Sequence, residues 1–241
     1  MPRPDASAKL AATAPKGGNR GTIAIVVALF AVVAVATAIF LGARGSGSNA
    51  TGAQSIPKGA AALGEPMVVN PSAPANVPTL VIYEDPQCPA CAQLDALYGP
   101  TIAELAKTNA AKVVVHTMTF LDTNLKTDHS RRAAQAAYCA ADQGRFLEYM
   151  TEIYAGQPAR EGDGWTDVQL EAFAIKAKVA DLPTWQSCVK AKTYAAHADA
   201  VAENSLKSGV NGTPTVKING TVLKLTGNPA ELTAAVKAAT K

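Results

Sequence analysis

The chain has 241 residues, of which 48% are apolar and 17% are charged, which is enough for one sizeable domain and a tail. Its net charge of +3 is local, because residues 1–44 hold five basic residues and a single acidic one, and the remainder is close to neutral. This distribution argues against a nucleic-acid partner.

The first 64 residues predict a tail, a membrane anchor and a tether. Residues 1–21 are rich in Ala, Gly and Pro and are expected to form a disordered cytoplasmic tail. Residues 22–41 carry no charge over a length that can cross a bilayer, and the basic residues before them favour a cytoplasmic N terminus. Residues 42–64 are small and polar, which is typical of a flexible linker.

A cleaved signal peptide is the main alternative to this anchor, and a buried core helix is disfavoured by the polar flanks. Signal peptides usually have an apolar region of only about 7–15 residues that ends at a small-residue cleavage site. The candidate sites at residues 34–36 and 41–43 are poor or misplaced. In either case the folded domain is expected outside the cytoplasm, and the uncleaved anchor would attach it to the cell membrane by a single span. Its four cysteines can form two disulfides in such an oxidising compartment.

The first part of the folded region predicts a β-α-β unit. A short edge strand at residues 66–70 is followed by a buried strand at 78–85 and a valine-rich strand at 111–120. A helix is predicted from Cys88 onward between the last two strands, with Pro100 kinking or interrupting it. The strand-helix-strand order indicates a parallel pair.

The rest of residues 65–241 predicts a helical block followed by a β-β-α unit. Apolar residues at helical spacing occupy about residues 125–207, where a capping box at 166–169 begins one of the helices. Two β-branched runs then flank Asn219-Gly220, a strong hairpin signal. Asn228 and the proline after it begin the last helix.

Two cysteines, Cys88 and Cys91, stand where a predicted strand ends and a helix begins. With Pro89 at the first helical position, Cys88 becomes the N-cap, and its sulfur faces the free N–H groups and the positive end of the helix dipole. These groups stabilise a thiolate, so the pKa of Cys88 is expected well below the usual value of about 8.5. A Cys88–Cys91 disulfide should therefore be a strong oxidant, with the more buried Cys91 as the resolving thiol.

A zinc site and a structural disulfide are the alternatives for this pair. Zinc usually needs a second C-x-x-C or a nearby histidine pair, whereas Cys139 and Cys188 are isolated, and the histidines lack ligand spacing. A disulfide that closes so short a loop would stabilise the fold only weakly. The sequence therefore favours a redox pair that needs no metal and no cofactor.

Two stretches, YEDPQCPACAQL at 83–94 and GVNGTPTVKINGTVL at 209–223, resemble the two motifs of the thioredoxin fold. The helical block between them resembles the DsbA-like branch of exported thiol oxidases, and the resemblance covers about residues 67–241. It implies an α/β thioredoxin fold with a central mixed sheet and an inserted helical subdomain. It also implies a cis peptide at Thr213-Pro214, beside the active disulfide, where the backbone pairs with a bound substrate strand.

The same resemblance implies a membrane-tethered enzyme that introduces disulfides into exported proteins with free thiols. A membrane quinone-linked partner of the DsbB or VKOR type would regenerate its disulfide. A reductase or isomerase on the same fold is one alternative. A non-catalytic binding domain on a membrane anchor, with two structural disulfides, is another.

The position of an acidic residue departs from the family pattern. Many members have one six positions before the first active cysteine, where it assists proton transfer to the second thiol, and this chain has Ile82 there. Glu84 and Asp85 lie closer to the motif and are candidates for proton handling. Asp85 matches an acid that is frequent in these relatives, and a structural role fits it equally well.

The remaining cysteines, Cys139 and Cys188, lie in two predicted helices of the insertion. A structural disulfide between them would close a loop of about 50 residues and stabilise the fold by about 4 kcal/mol in the chain-entropy model. A second redox pair is the alternative, but neither residue begins a helix that would activate it. Tyr83 and Trp165 could shape a substrate groove, and core packing is the default expectation for both.

Overall fold

The computed structural model describes residues 55–240, which contain one five-stranded mixed sheet in the order β1-β3-β2-β4-β5. Strands β2 and β3 are parallel, and the other neighbours are antiparallel. This arrangement confirms the predicted thioredoxin fold. The strands are β1 Met67–Val68, β2 Thr79–Glu84, β3 Lys112–Thr117, β4 Thr215–Ile218 and β5 Thr221–Val222.

Eight helices accompany the sheet within residues 55–240. Helix α1 connects β2 to β3 and runs through Pro100 without interruption. Six helices form the insertion between β3 and β4, and the last helix follows β5. The helices are α1 Pro89–Lys107, α2 Phe120–Leu125, α3 His129–Ala141, α4 Phe146–Ala155, α5 Asp167–Lys176, α6 Leu182–Lys190, α7 Ala195–Lys207 and α8 Pro229–Ala239.

Local sequence signals set several of these boundaries as predicted. Thr166 and Gln169 form the capping box that begins α5, and the side chain of Asn228 accepts a hydrogen bond from Ala230 N at the start of α8. Asn219 and Gly220 both have positive φ, of 47° and 84°, which the tight hairpin between β4 and β5 requires. The second strand of this hairpin is only two residues long, shorter than the apolar run suggested.

The two faces of β2 pack against different parts of the molecule. Leu80 and Ile82 belong to the main core, which includes Cys91 of α1 and the buried side chains of the insertion. Tyr83 lies on the opposite face, where it packs with Met118 and is therefore a core residue. Because side chains alternate along a strand, Glu84 shares the face of Ile82 and Cys91.

The insertion has its own hydrophobic centre, continuous with the main core. Tyr138, Tyr149, Trp165 and Trp185 are buried there, and the indole N–H of Trp165 donates to Gly156 O at 2.9 Å. Trp165 is therefore a core residue as well. Cys139 and Cys188 form a disulfide that joins α3 to α6.

The packed part of the chain begins before residue 65, inside the segment predicted as a flexible linker. Pro57 and Gly64 are buried. Gly64 N donates to His197 Nδ1 at 3.3 Å, and Gly64 O accepts from Asn204 Nδ2 at 3.1 Å. These bonds attach the segment to α7, so the domain starts several residues earlier than composition indicated.

The predicted tail, the anchor at residues 22–41 and residues 42–54 of the linker lie outside the described residues. Within residues 55–240, no helix has the length and apolar character needed to span a bilayer.

Candidate active site

Cys88 is the N-cap of α1. Its backbone is extended (φ −73°, ψ 118°) and Pro89 occupies the first helical position, where the missing N–H is not needed. Cys88 N donates to Asp85 O at 2.9 Å, and Cys88 O accepts from Cys91 N at 3.0 Å and from Ala92 N at 3.2 Å. The sequence C-P-A-C thus begins the helix where the strand ends, as predicted.

The surroundings of Cys88 stabilise its thiolate. The Cys91 side chain, followed by the Thr213 side chain and the N–H groups of Cys91 and Ala90, lowers the pKa of Cys88 to about 6, although burial opposes this. The sulfur has no capping hydrogen bond of regular geometry to the first turn, so the amides act on it mainly through their dipoles. A large fraction of Cys88 is therefore thiolate at neutral pH.

Cys91 has the opposite character. Its side chain is completely buried one turn into α1. Burial, the neighbouring Cys88 and the carboxylate of Glu84 raise the pKa of Cys91 far above its usual value. Both thiols are free in this structure. The pair therefore consists of one thiol that ionises readily and one that keeps its proton.

The loop before β4 completes the immediate site. The Thr213-Pro214 peptide is cis, and Thr213 O lies 3.5 Å from Cys88 Sγ. The Thr213 hydroxyl is buried and makes no hydrogen bond of regular geometry among the described residues, so it acts on the Cys88 thiolate as a nearby dipole. The structure thus brings Cys88, Cys91, Thr213 and Pro214 together at one end of the sheet.

Glu84 lies at the end of β2 and faces the same side as Cys91. Its neighbour on β3 is Thr117, whose hydroxyl is buried without a partner among residues 55–240. Burial and the charge of Asp95 raise the pKa of Glu84 to about 8, and the nearby Tyr154 hydroxyl partly opposes them. Glu84 and Asp95 also line a groove of about 480 Å³ that opens to solvent. The carboxyl of Glu84 therefore borders this groove, although its side chain is largely buried.

Asp85 has a different environment, although it is adjacent in sequence. Its carboxylate accepts from Ser130 Oγ at 2.5 Å, from Gln87 N at 3.0 Å and from Leu121 N at 3.2 Å. Burial nevertheless raises the pKa of Asp85 to about 7. These bonds tie the loop between β2 and α1 to the helical insertion, so the geometry favours a structural role for Asp85.

The family model described as thioredoxin (Thioredoxin_4) matches residues 64–238 of the chain. The chain belongs to the thioredoxin family. No curated protein sequence matches it.

Solved structures indicate the DsbA-like branch of this family. The reduced form of the disulfide bond oxidoreductase DsbG of Mycobacterium tuberculosis is 28% identical, with a TM-score of 0.62, over 74% of this chain and 88% of that one. Oxidised DsbA of the same organism is 28% identical, with a TM-score of 0.59, over 68% and 83%. MdbA, a thiol-disulfide oxidoreductase from Actinomyces oris, is 22% identical, with a TM-score of 0.57, over 69% and 83%, which supports the fold alone. The chain is a DsbA-like thiol–disulfide oxidoreductase.

An apolar groove runs beside the redox pair of this family member. It has a volume of about 230 Å³ and lies between α1, the start of β4 and the segment that follows β5. Leu97, one of the exposed large apolar side chains, lines it. The groove is lined by Ala90, Leu94, Leu97, Pro214, Val216 and Leu225, among others.

Sequence reasoning missed the polar residues that support the active-site loop. Gln87 is almost completely buried, and its Nε2 donates to Asp122 Oδ1 and to Ser130 Oγ, both at 2.8 Å. Gln157 Nε2 donates to carbonyl oxygens of the same loop. Gln87 directly precedes the C-x-x-C motif and could have been suspected, but nothing in the sequence connects Gln157 to Cys88. Residues 55–240 contain no cluster of three or more potential metal ligands.

Proposed function

We propose that this thiol–disulfide oxidoreductase works as an oxidase that introduces disulfides into exported proteins. The observation that carries the proposal is the position of Cys88 at the N-cap of α1, next to the cis Thr213-Pro214 loop and a fully buried Cys91, which lowers the pKa of Cys88 to about 6 while Cys91 keeps its proton. A stabilised Cys88 thiolate favours the reduced pair, so the disulfide form gives up its bond readily to a substrate thiol. A reductase must give up the electrons of its reduced pair, so a stabilised Cys88 thiolate would make it inefficient.

The reaction proceeds in two exchanges. A substrate thiolate attacks Cys88 Sγ of the oxidised pair, the Cys88–Cys91 bond breaks, and its electron pair leaves on Cys91, which takes up a proton. A second substrate thiolate then attacks the substrate sulfur of the mixed disulfide, and Cys88 leaves as a thiolate. The substrate loses two electrons and gains a disulfide, and the enzyme holds the two electrons as a dithiol.

Glu84 supports the first exchange as the source of the proton for Cys91. With a pKa of about 8, this carboxyl is largely protonated at neutral pH and lies on the sheet face that Cys91 occupies. In many relatives the acid stands at the position of Ile82, and Glu84 lies two residues further along β2. Because side chains alternate along a strand, Glu84 and Ile82 are on the same face of the sheet. The groove that Glu84 lines provides the route for exchange with solvent.

The substrate is an extended, incompletely folded polypeptide. The loop at Thr213-Pro214 presents its backbone beside Cys88, where a substrate strand can pair with it. Side chains of that strand can lie in the apolar groove beside Pro214. Folded proteins bury the apolar side chains that such a groove would bind, so the site selects clients that are still folding.

Export and membrane attachment complete the proposal. The Cys139–Cys188 disulfide favours an oxidising compartment, and the charge-free residues 22–41 supply an uncleaved anchor. A membrane quinone-linked partner of the DsbB or VKOR type would accept the two electrons of the dithiol and restore the disulfide. Attachment to the membrane would keep the enzyme near such a partner.

Refolding of a reduced client tests the proposal. Oxidised enzyme is mixed with reduced, unfolded ribonuclease A, and client thiols are counted by alkylation over time. We expect stoichiometric loss of client thiols together with formation of the Cys88–Cys91 dithiol, and no such loss with the Cys88→Ser variant. Retention of client thiols by the oxidised wild type would overturn the oxidase assignment.

A further inference from the structure

Gln157 of the insertion contacts the loop that carries Cys88. It directly follows Gly156, the C-cap of α4, and its Nε2 donates to Pro86 O at 2.7 Å and to Cys88 O at 3.0 Å. Because both neighbours are carbonyl oxygens, only the NH₂ end of the side chain fits there. The contact joins residues about 70 positions apart in the chain.

The backbone at Gln157 is held in place by the core of the insertion. Gly156 O accepts the indole N–H of Trp165, which is buried. A Cβ atom at Gly156 would lie 2.3 Å from Cζ of the buried Phe173 ring, so the chain passes this point in close contact with α5. Gln157 is therefore presented from a rigid base.

The two bonds fix the orientation of two peptide planes in the active-site loop. Pro86 O belongs to the plane before Gln87, and Cys88 O belongs to the plane that begins α1. Pro86 O accepts no other hydrogen bond within residues 55–240. Without Gln157, the carbonyl side of the plane after Pro86 is released and the plane is held only through the bond from Gln87 N to Asp85 Oδ1, while the plane after Cys88 keeps only its bonds within the helix.

We propose that Gln157 is a positioning residue that holds Cys88 over the first turn of α1, so that the insertion sets the reactivity of the redox pair. The inference rests on the proposed function, since it takes Cys88 as the reactive thiol. A loop released from Gln157 can move the sulfur away from the helix amides and from Thr213. The Cys88 thiolate is then less stable, and the disulfide is a weaker oxidant.

The test replaces Gln157 by Met, which has a similar volume and no donor. Gln186→Met is the matched control, because Gln186 is an exposed glutamine of the same insertion whose side chain, within residues 55–240, bonds only to Glu171. Thiolate absorbance against pH, the alkylation rate at pH 5 and the reduction potential are measured on each protein. We expect Gln157→Met to be alkylated about tenfold more slowly at pH 5, which is the effect of about one lost hydrogen bond, and to be less oxidising. The control should match the wild type.

A second variant keeps the test decisive if Gln157→Met folds poorly. Gln157→Glu preserves size and polarity but places carboxylate oxygens against two carbonyl oxygens, so it should slow alkylation more than Met does. If the folded variants melt at a lower temperature but keep the wild-type titration and potential, Gln157 supports the fold alone and the proposal is wrong. Failure of the wild type to oxidise a client would instead refute the proposed function, because the titration of Cys88 is read without any client.

Discussion

Replacement of Glu84 by Gln should remove a pH-dependent loss of stability. Glu84 is buried, and its pKa rises from 4.5 to about 8 on folding. Between these values the unfolded chain is ionised at this carboxyl while the folded protein still holds a proton. The group therefore contributes stability that is fully present below pH 4.5 and is lost as the pH rises toward 8.

The size of this effect follows from the two pKa values. At pH 7 the carboxyl of the unfolded chain is about 2.5 pH units above its pKa and is ionised, whereas that of the folded protein is still protonated. Ionisation therefore stabilises the unfolded chain by about 3 kcal/mol relative to the folded protein. Glutamine carries no charge, so the variant avoids this loss, and its amide can bond to the unpartnered hydroxyls of Thr117 and Tyr154. The variant should be equal to the wild type near pH 4 and more stable by about 3 kcal/mol at pH 7.

The assay is urea unfolding of both proteins at several pH values from 4 to 8. Glu104→Gln is the matched control, because Glu104 lies on α1 with its side chain largely exposed to solvent. The control should follow the wild type at every pH. If the Glu84→Gln curve runs parallel to the wild type over this range, the carboxyl is not held protonated by burial and cannot serve as the proton source for Cys91.

Further predictions concern the two cysteine pairs. Alkylation of the reduced protein should show one thiol with a midpoint near pH 6, Cys88, and a midpoint near 8.5 would contradict the stabilised thiolate. With Cys91 replaced by Ser, the Cys88 thiolate can still attack the disulfide of an oxidised client, but no second enzyme thiol releases that client, so mixed disulfides on Cys88 should accumulate on non-reducing gels; their absence would count against Cys91 as the resolving thiol. Replacing Cys139 and Cys188 together by Ala should lower the free energy of unfolding by about 4 kcal/mol, since the disulfide spans 49 positions, while client oxidation persists. Loss of turnover at unchanged stability would make this pair a redox relay.

Much of the fold could be predicted from local sequence patterns. The strand before Cys88, the proline after it and the capping residues at Thr166 and Asn228 act over a few positions, so their consequences can be read directly. Once β2 is predicted as a strand, the alternation of its side chains also places Glu84 on the sheet face that Cys91 contacts. The cis peptide at Thr213-Pro214 was implied by family resemblance, because an X–Pro bond shows no preference for cis on its own.

Contacts between distant segments could not be predicted in this way. Gln157 reaches Cys88 only because α4 ends beside the active-site loop, and that depends on how the insertion packs. The bond between Gly64 and His197 spans 133 positions and explains why composition placed the end of the linker too late. Asp85 and Glu84 are adjacent in sequence, yet only the packing of Ser130 shows which of the two is a structural anchor.

The reduction potential of the Cys88–Cys91 pair tests the central claim most directly. The full chain is equilibrated in glutathione buffers of graded ratio, and the dithiol fraction is counted after thiol trapping. An oxidase with a stabilised Cys88 thiolate should have a potential above about −180 mV, toward the value of about −120 mV typical of strong thiol oxidants. A potential near −270 mV, the value of a reducing thioredoxin, would contradict the account.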